Sequence, residues 1–245
     1  MSALRVLHQL VRPVADDAQL IGAAQATRSE PGCLEAECYR NIEQPQQLAV
    51  VELWADQWSF SEYWSRRLLE EGQDAPLRSS EDAGYEHAAT EFYAYALFHR
   101  PDRAWQPIES RENGKIFWPA SNGVRILSQA AASNLEEWIP WGLSNARETR
   151  REPGCLQFDH LQSIEFPEHV LLLELWQPPQ SIYDAHWQLR LKSNANALGI
   201  RREPVPRRLG TAGIEFYRYQ RFVHLYDRWL PAEVDRWSET ILWPD

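Results

Sequence analysis

A five-residue phrase occurs twice in this chain. Glu30-Pro31-Gly32-Cys33-Leu34 returns as Glu152-Pro153-Gly154-Cys155-Leu156, 122 positions later. Glu52-Leu53-Trp54 returns as Glu174-Leu175-Trp176 at the same spacing. Glu91-Phe92-Tyr93 with Tyr95 returns as Glu215-Phe216-Tyr217 with Tyr219, and Trp105-x-Pro107-x-Glu109 returns as Trp229-x-Pro231-x-Glu233, both at 124. Self-similarity in the same order at a nearly constant spacing marks a duplicated structural unit. The 245 residues then divide into a first repeat over 1–110, a linker over 111–122 and a second repeat over 123–245. Each repeat has an ordinary domain size.

Within each repeat the hydrophobic pattern changes period in the order β-α-β-β-α-β. In the first, strands are expected over 5–12, 34–40, 48–54 and 91–99. Helices are expected from Asp16-Asp17 to Thr27 and from a cap at Asp56 onward, with Phe60, Tyr63, Trp64 and Leu68 on one stripe. In the second, strands are expected over 124–130, 156–163, 170–176 and 216–224. Ser133 with Glu136 has the spacing of a capping box for the first helix, and Pro178-Pro179 opens the next. This order builds a four-stranded antiparallel sheet with two helices on one face, the ferredoxin-like arrangement. The third strands, Val50-Val51-Glu52 and Leu171-Leu172-Leu173-Glu174, are apolar toward both sides, so both faces must be covered. The expected fold is therefore α+β, with two tandem ferredoxin-like repeats whose antiparallel sheets pack into an intramolecular dimeric-type α-β barrel.

Composition excludes several classes of function. A formal net charge of −10 argues against a nucleic-acid partner that needs a broad basic face. No apolar run reaches the length that spans a bilayer, and the first ten residues lack the order of a signal peptide. A cytoplasmic monomer or homodimer is the expectation. Cys33 and Cys155 are repeat partners, Cys38 stands alone and there is no Cys-x-x-Cys, so all three read as small buried hydrophobes. No phosphate-binding loop, Gly-x-Ser-x-Gly elbow or His-Glu-x-x-His occurs.

Each half resembles the antibiotic biosynthesis monooxygenase family of dimeric α-β barrels. The resemblance rests on a helix ending in Glu-Pro-Gly-Cys, a strand ending in Glu-x-Trp and a following helix with an aromatic residue and a histidine. These are Glu30–Leu34, Glu52–Trp54 and Phe60 in the first half. In the second they are Glu152–Leu156, Glu174–Trp176 and Tyr183-Asp184-Ala185-His186. The resemblance implies a monooxygenase that oxidises a small aromatic, quinol or polyketide-like ligand with O₂ and without an added cofactor. Other relatives degrade haem. Cofactor-free polyketide oxygenases carry Asn four residues before the strand-end Trp, where this chain has Val50 and Leu172. At the haem-ligand neighbourhood it has Gln73 and Asp74, or Asn196, which leaves His87 as an alternative ligand.

The candidate catalytic residues are Glu174, His186 and Glu52. A carboxylate inside an apolar strand must be paired, neutralised or at a water-lined cleft. Raised in pKa, it could take a phenolic proton; a salt bridge to Arg5 or Arg125 is the structural alternative. His186 could shuttle a proton near neutral pH. In register His160 faces Cys38 and His186 faces Trp64, so a histidine-dependent site exists in one half only. Trp54, Trp176, Phe60, Tyr63 and Tyr183 are the candidate aromatic lining, with core packing as the alternative. Pockets plugged by Phe60, Trp64 or Trp187 would favour a non-catalytic ligand-binding or structural barrel. The acidic stretch Glu70–Glu86 and the basic stretch Arg201–Arg208 could form a lid, attract each other or be solvated.

Overall fold

A computed structural model describes residues 3–11, 17–71, 89–99, 106–107, 123–192, 202–203, 206–207, 210–211, 214–225 and 228–231. Asp16, Gln73, Asp74, His87, Trp105, Asn196 and most of the two charged stretches lie outside these residues. The first β-α-β-β-α-β series is β1 (Leu4–Val11), α1 (Asp17–Arg28), β2 (Cys33–Asn41), β3 (Gln47–Trp54), α2 (Gln57–Glu71) and β4 (Ala89–Ala94). Two short strands follow, β5 (Phe98–His99) and β6 (Gln106–Pro107). The second series is β7 (Val124–Ala132), α3 (Leu135–Thr149), β8 (Cys155–Ser163), β9 (His169–Trp176) and α4 (Ser181–Lys192), then the short β10 (Arg202–Glu203), β11 (Pro206–Arg207) and β12 (Gly210–Thr211), and β13 (Ile214–Arg218). The chain continues with β14 (Phe222–Leu225) and β15 (Arg228–Pro231). The fold class is α+β, two ferredoxin-like repeats in tandem.

The repeated phrase has a structural cause. In each copy the amide of Cys donates to the carbonyl of Glu three residues earlier, at 3.1 Å for Cys33 and 3.2 Å for Cys155. Proline in second place and a glycine with φ of 82° (Gly32) or 81° (Gly154) in third is the pattern of a type II turn. The glycine carbonyl then accepts from the residue after the Glu-x-Trp strand, Ala55 or Gln177, both at 2.8 Å. A Cβ on Gly154 would lie 2.5 Å from Ile182, and one on Gly32 would lie 2.2 Å from Ser59, so the turn also seats the next helix. Gly154→Ala is expected to cost about 1–3 kcal/mol, from the left-handed backbone and this clash together; urea unfolding of the purified variant measures it. Directly after the turn β2 and β8 each carry a bulge, at Cys33/Glu35 and Cys155/Gln157. The thiols donate across it to the carbonyls of Glu35 and Gln157. Cys33 and Cys38 are buried, as expected; Cys155 is half-buried, and all three are free. Burial pushes the thiols of Cys38 and Cys155 up to about 12, so neither presents a thiolate.

The compact units do not follow the sequence halves end to end. The first gathers Met1–Tyr95, Ser163–Glu165 and Gln220–Asp245; the second gathers Ala96–Gln162 and Phe166–Tyr219. The reason lies in the fourth strands. Instead of running on to His99 and His224, they stop at Ala94 and Arg218. The amides of Tyr95 and Tyr219 donate to Ala3 and Gly123, both at 2.8 Å. Arg5 and Arg125 lie over the Tyr95 and Tyr219 rings, at 5.3 and 5.2 Å. Beyond each break the chain joins the other repeat's unit, β14 beside β4 and β5 beside β13.

The first unit's sheet is antiparallel in the order β15-β14-β4-β1-β3-β2; the second runs β8-β9-β7-β13-β5-β6, with β10 also beside β7. β3 and β9 are buried on both faces along nearly their whole length. Leu20, Ala24 and Thr27 give α1 its buried stripe, and Asp56 caps α2 through the amide of Ser59 at 2.8 Å. α3 departs from the expected capping box: Asn134, not Ser133, is its N-cap and accepts from the amide of Glu137. Among the described residues no helix is long and apolar enough to cross a membrane.

Candidate functional site

In both units the Glu-x-Trp strand forms the same buried pair. Residues two apart on a strand share a face. The Trp54 indole donates to the Glu52 carboxylate at 2.8 Å, and Trp176 to Glu174 at 2.8 Å. All four residues are buried. The salt bridge to Arg5 or Arg125 does not form. Arg5 is opposite Leu53 in register and Arg125 opposite Leu175, which puts both arginines on the other face. Each reaches only the main-chain carbonyl of its glutamate, at 3.0 and 3.1 Å. Arg5 pairs instead with Glu35 and Arg125 with Gln157.

In the first unit Glu52 is enclosed. Trp54 is packed by Tyr63 (ring centroids 4.9 Å apart) and Phe60 (5.8 Å). The Nε2 of His8 lies 3.8 Å from Glu52, and its Nδ1 shares a hydrogen bond with the Thr90 hydroxyl at 2.9 Å. Arg67 donates to the Tyr63 hydroxyl, which also bonds Thr27 at 2.8 Å. Burial pushes the Glu52 carboxyl up to about 7; its bond to Trp54 and the charges of Arg67 and Arg5 only partly offset this. Burial, with Arg67 nearby, lowers His8 to about 3. Burial and the Glu52 charge raise the Tyr63 hydroxyl. Beyond Glu52, Phe60, Trp64, Phe92 and Trp229 pack ring against ring at 4.8–6.4 Å, and all four are buried.

A pH test follows. With a raised folded value, Glu52 contributes stability that is complete below the usual carboxylate range and is lost as pH rises through about 7. His8, lowered in the fold, has the opposite sign: its contribution is present above the usual histidine range and lost toward about pH 3. The two oppose each other at mildly acidic pH, so the Glu52→Gln variant isolates the carboxyl. Its stability relative to the natural chain is expected to grow between pH 4.5 and 7.5 by roughly 2–3 kcal/mol. Urea denaturation across that range measures the difference, and a flat difference would disprove it.

The second unit is built from the same positions with different chemistry. His186 Nδ1 lies 2.6 Å from the Glu152 carboxylate, and its ring is 4.5 Å from that of Trp176 at 35°. Tyr183 stands 6.0 Å from Trp176 and 5.5 Å from Phe216. These contacts correct one correspondence. His186 meets Trp176 as Tyr63 meets Trp54, and Tyr183 meets Phe216 as Phe60 meets Phe92 at 5.3 Å. His186 is thus the counterpart of Tyr63, and Trp187 that of Trp64. His160 does match Cys38, opposite Leu172 as Cys38 is opposite Val50. It bonds Asn145 at 3.1 Å between the rings of Trp138 and Trp141.

The turn glutamate has changed partner between the copies. Glu30 pairs with the exposed Arg66, whereas Glu152 pairs with the buried His186. All eight candidate residues thus lie in two clusters: Glu52, Trp54, Phe60 and Tyr63 in the first unit, and Glu174, Trp176, Tyr183 and His186 in the second. Sequence reasoning missed His8, Arg67 and Glu152. The last was inside the repeated phrase itself. Among the described residues no group of three or more His, Cys, Asp or Glu side chains could hold a metal ion.

The family model for antibiotic biosynthesis monooxygenase matches residues 18–72 and 124–191, one segment in each repeat. No curated protein matches the sequence. Among solved structures, the chain is similar to an anthrone oxidase-like protein at 11% identity, covering 89% of this chain and 91% of that one, with a TM-score of 0.32. A monooxygenase-like protein from Listeria innocua is 9% identical over 89% of this chain and 94% of its own, with a TM-score of 0.30. A Shewanella oneidensis protein is 18% identical over 38% of this chain and 89% of its own, with a TM-score of 0.27.

Proposed function

The chain belongs to the antibiotic biosynthesis monooxygenase family, and on that footing we propose that it is a cofactor-independent monooxygenase acting on a small aromatic, quinol or polyketide-like molecule, with its chemistry in the second unit. One observation carries this reading: His186 is held between the Glu152 carboxylate and the face of Trp176, whose indole is tied to Glu174. A carboxylate on Nδ1 fixes the tautomer and orientation of an imidazole. Proton exchange with a substrate then falls to Nε2.

In this scheme the imidazole removes a proton from a phenol or from the activated methylene beside it. The resulting anion gives one electron to O₂, leaving a substrate radical and superoxide. These combine at carbon, and the imidazolium returns its proton to the peroxide. Loss of water leaves a carbonyl, so one O₂ converts one CH₂ into C=O and one H₂O. The protein contributes position and fixed charge.

A second reading, a non-catalytic ligand-binding or structural α-β barrel, is favoured by the first unit, where Phe60, Trp64 and Trp229 pack the interior. Haem binding is the third. The test is an O₂ electrode with a panel of quinols and polycyclic phenols carrying an activated methylene, with chelator present. Consumption above spontaneous autoxidation, with one O₂ per new carbonyl and no peroxide released, is expected. Binding without such consumption would support the second reading, and a Soret shift on adding haemin would support the third.

A further inference from the structure

The two units differ at one ring. In the first, the imidazole of His8 lies nearly parallel to Trp64, with centroids 5.7 Å apart and planes at 17°. Nδ1 bonds the Thr90 hydroxyl and Nε2 faces the Glu52 carboxylate. A flat ring stacked on an indole, with one polar atom turned to a carboxylate, has the form of a bound aromatic ligand.

Four neighbours of that ring, Val50, Thr90, Glu52 and Trp64, have counterparts in the second unit. Leu172 is opposite Ser128 as Val50 is opposite His8, and Ile214 is opposite Ser128 as Thr90 is opposite His8. Glu174 stands for Glu52 and Trp187 for Trp64. At the position of that ring the second unit has Ser128. Trp187 and Ile214 are half-buried, whereas Trp64 and Thr90 are 5% and 0% exposed.

We propose that the second unit takes a planar aromatic ligand in the place that His8 fills in the first, flat on Trp187 with an acidic hydroxyl toward Glu174, and that the chain has one ligand site rather than two. This rests on the reading of the second unit as the reactive one. Ile214 in place of Thr90 removes the hydroxyl that His8 uses on its far edge. The preferred ligand is therefore polar on one edge and apolar on the other, as a fused-ring phenol is.

The test is equilibrium dialysis of the full chain with 1-naphthol, with far-UV circular dichroism to verify folding. The natural chain is expected to bind one equivalent. Ser128→His should weaken binding at least tenfold by supplying the missing ring, and His8→Ser should add a second equivalent. Two equivalents in the natural chain, none at all, or undiminished affinity in folded Ser128→His would overturn the proposal. Should Ser128→His fail to fold, His8→Ser decides it: two equivalents support the proposal and one overturns it. Binding of one equivalent of 1-naphthol, with no O₂ consumption on any phenol of the methylene-bearing panel, would end the monooxygenase reading and leave the site standing. O₂ consumption unaffected by Ser128→His would do the reverse.

Discussion

Trp229→Ala is expected to lower the unfolding free energy by about 3–5 kcal/mol, the range for removing a buried large aromatic from a core, and to do so in the first unit. Trp229 comes from the C-terminal end of the second sequence repeat, yet its ring lies 4.8 Å from Phe92, 5.0 Å from Trp64 and 6.4 Å from Phe60. Smaller side chains cannot close that space, because its walls are themselves interlocked rings. Urea denaturation gives the size of the effect. Native-state hydrogen exchange gives its place: protection should fall in β1, β3 and β4, and least in β7 and β9. A loss below about 1 kcal/mol, or one centred on β7 and β9, would show that the exchange of strand ends between repeats is wrong.

His186→Ala is expected to lower kcat by about 10²–10⁴-fold, the usual contribution of a positioned general base, with KM changed little. Glu152→Gln keeps an acceptor for Nδ1 but removes its charge, so an intermediate loss of kcat is expected, again without a matching rise in KM. Glu152 is a positioning residue here, since its contact is with the imidazole. Steady-state O₂ uptake separates the two parameters. A variant that raised KM alone would assign His186 to binding and remove it from proton transfer.

The duplication made much of this fold legible. The repeated phrase carries its own geometry, since only glycine suits the third position of that turn, and the Glu-x-Trp spacing alone puts carboxylate and indole on one face. The position of Arg5 was not legible. The strand register sets it opposite Leu53 rather than Glu52, and that is why the salt bridge offered as the structural alternative is absent. Other features depend on distances in space that no local pattern encodes. Arg66 and His186 are remote in sequence from Glu30 and Glu152, so the divergence of two identical turns was invisible. The aromatic run through Tyr95 gave no sign of a break, because the break is made by a backbone bond to Ala3 and by Arg5 above the ring. The helix register slipped because the connection from Trp176 through Pro178-Pro179 to His186 is one residue longer than that from Trp54 to Tyr63. His8 escaped notice because its counterpart is a serine, and a difference between repeats draws less attention than an echo.

The decisive experiment compares O₂ consumption by two single variants of the full chain, Glu174→Gln and Glu52→Gln, on whichever phenolic substrate the natural chain turns over. Because the substrate hydroxyl is placed toward Glu174, a loss of roughly 10²-fold or more in the first and retention of most of the rate in the second is expected. Equal loss in both, or loss only in Glu52→Gln, would place the chemistry elsewhere than the second unit.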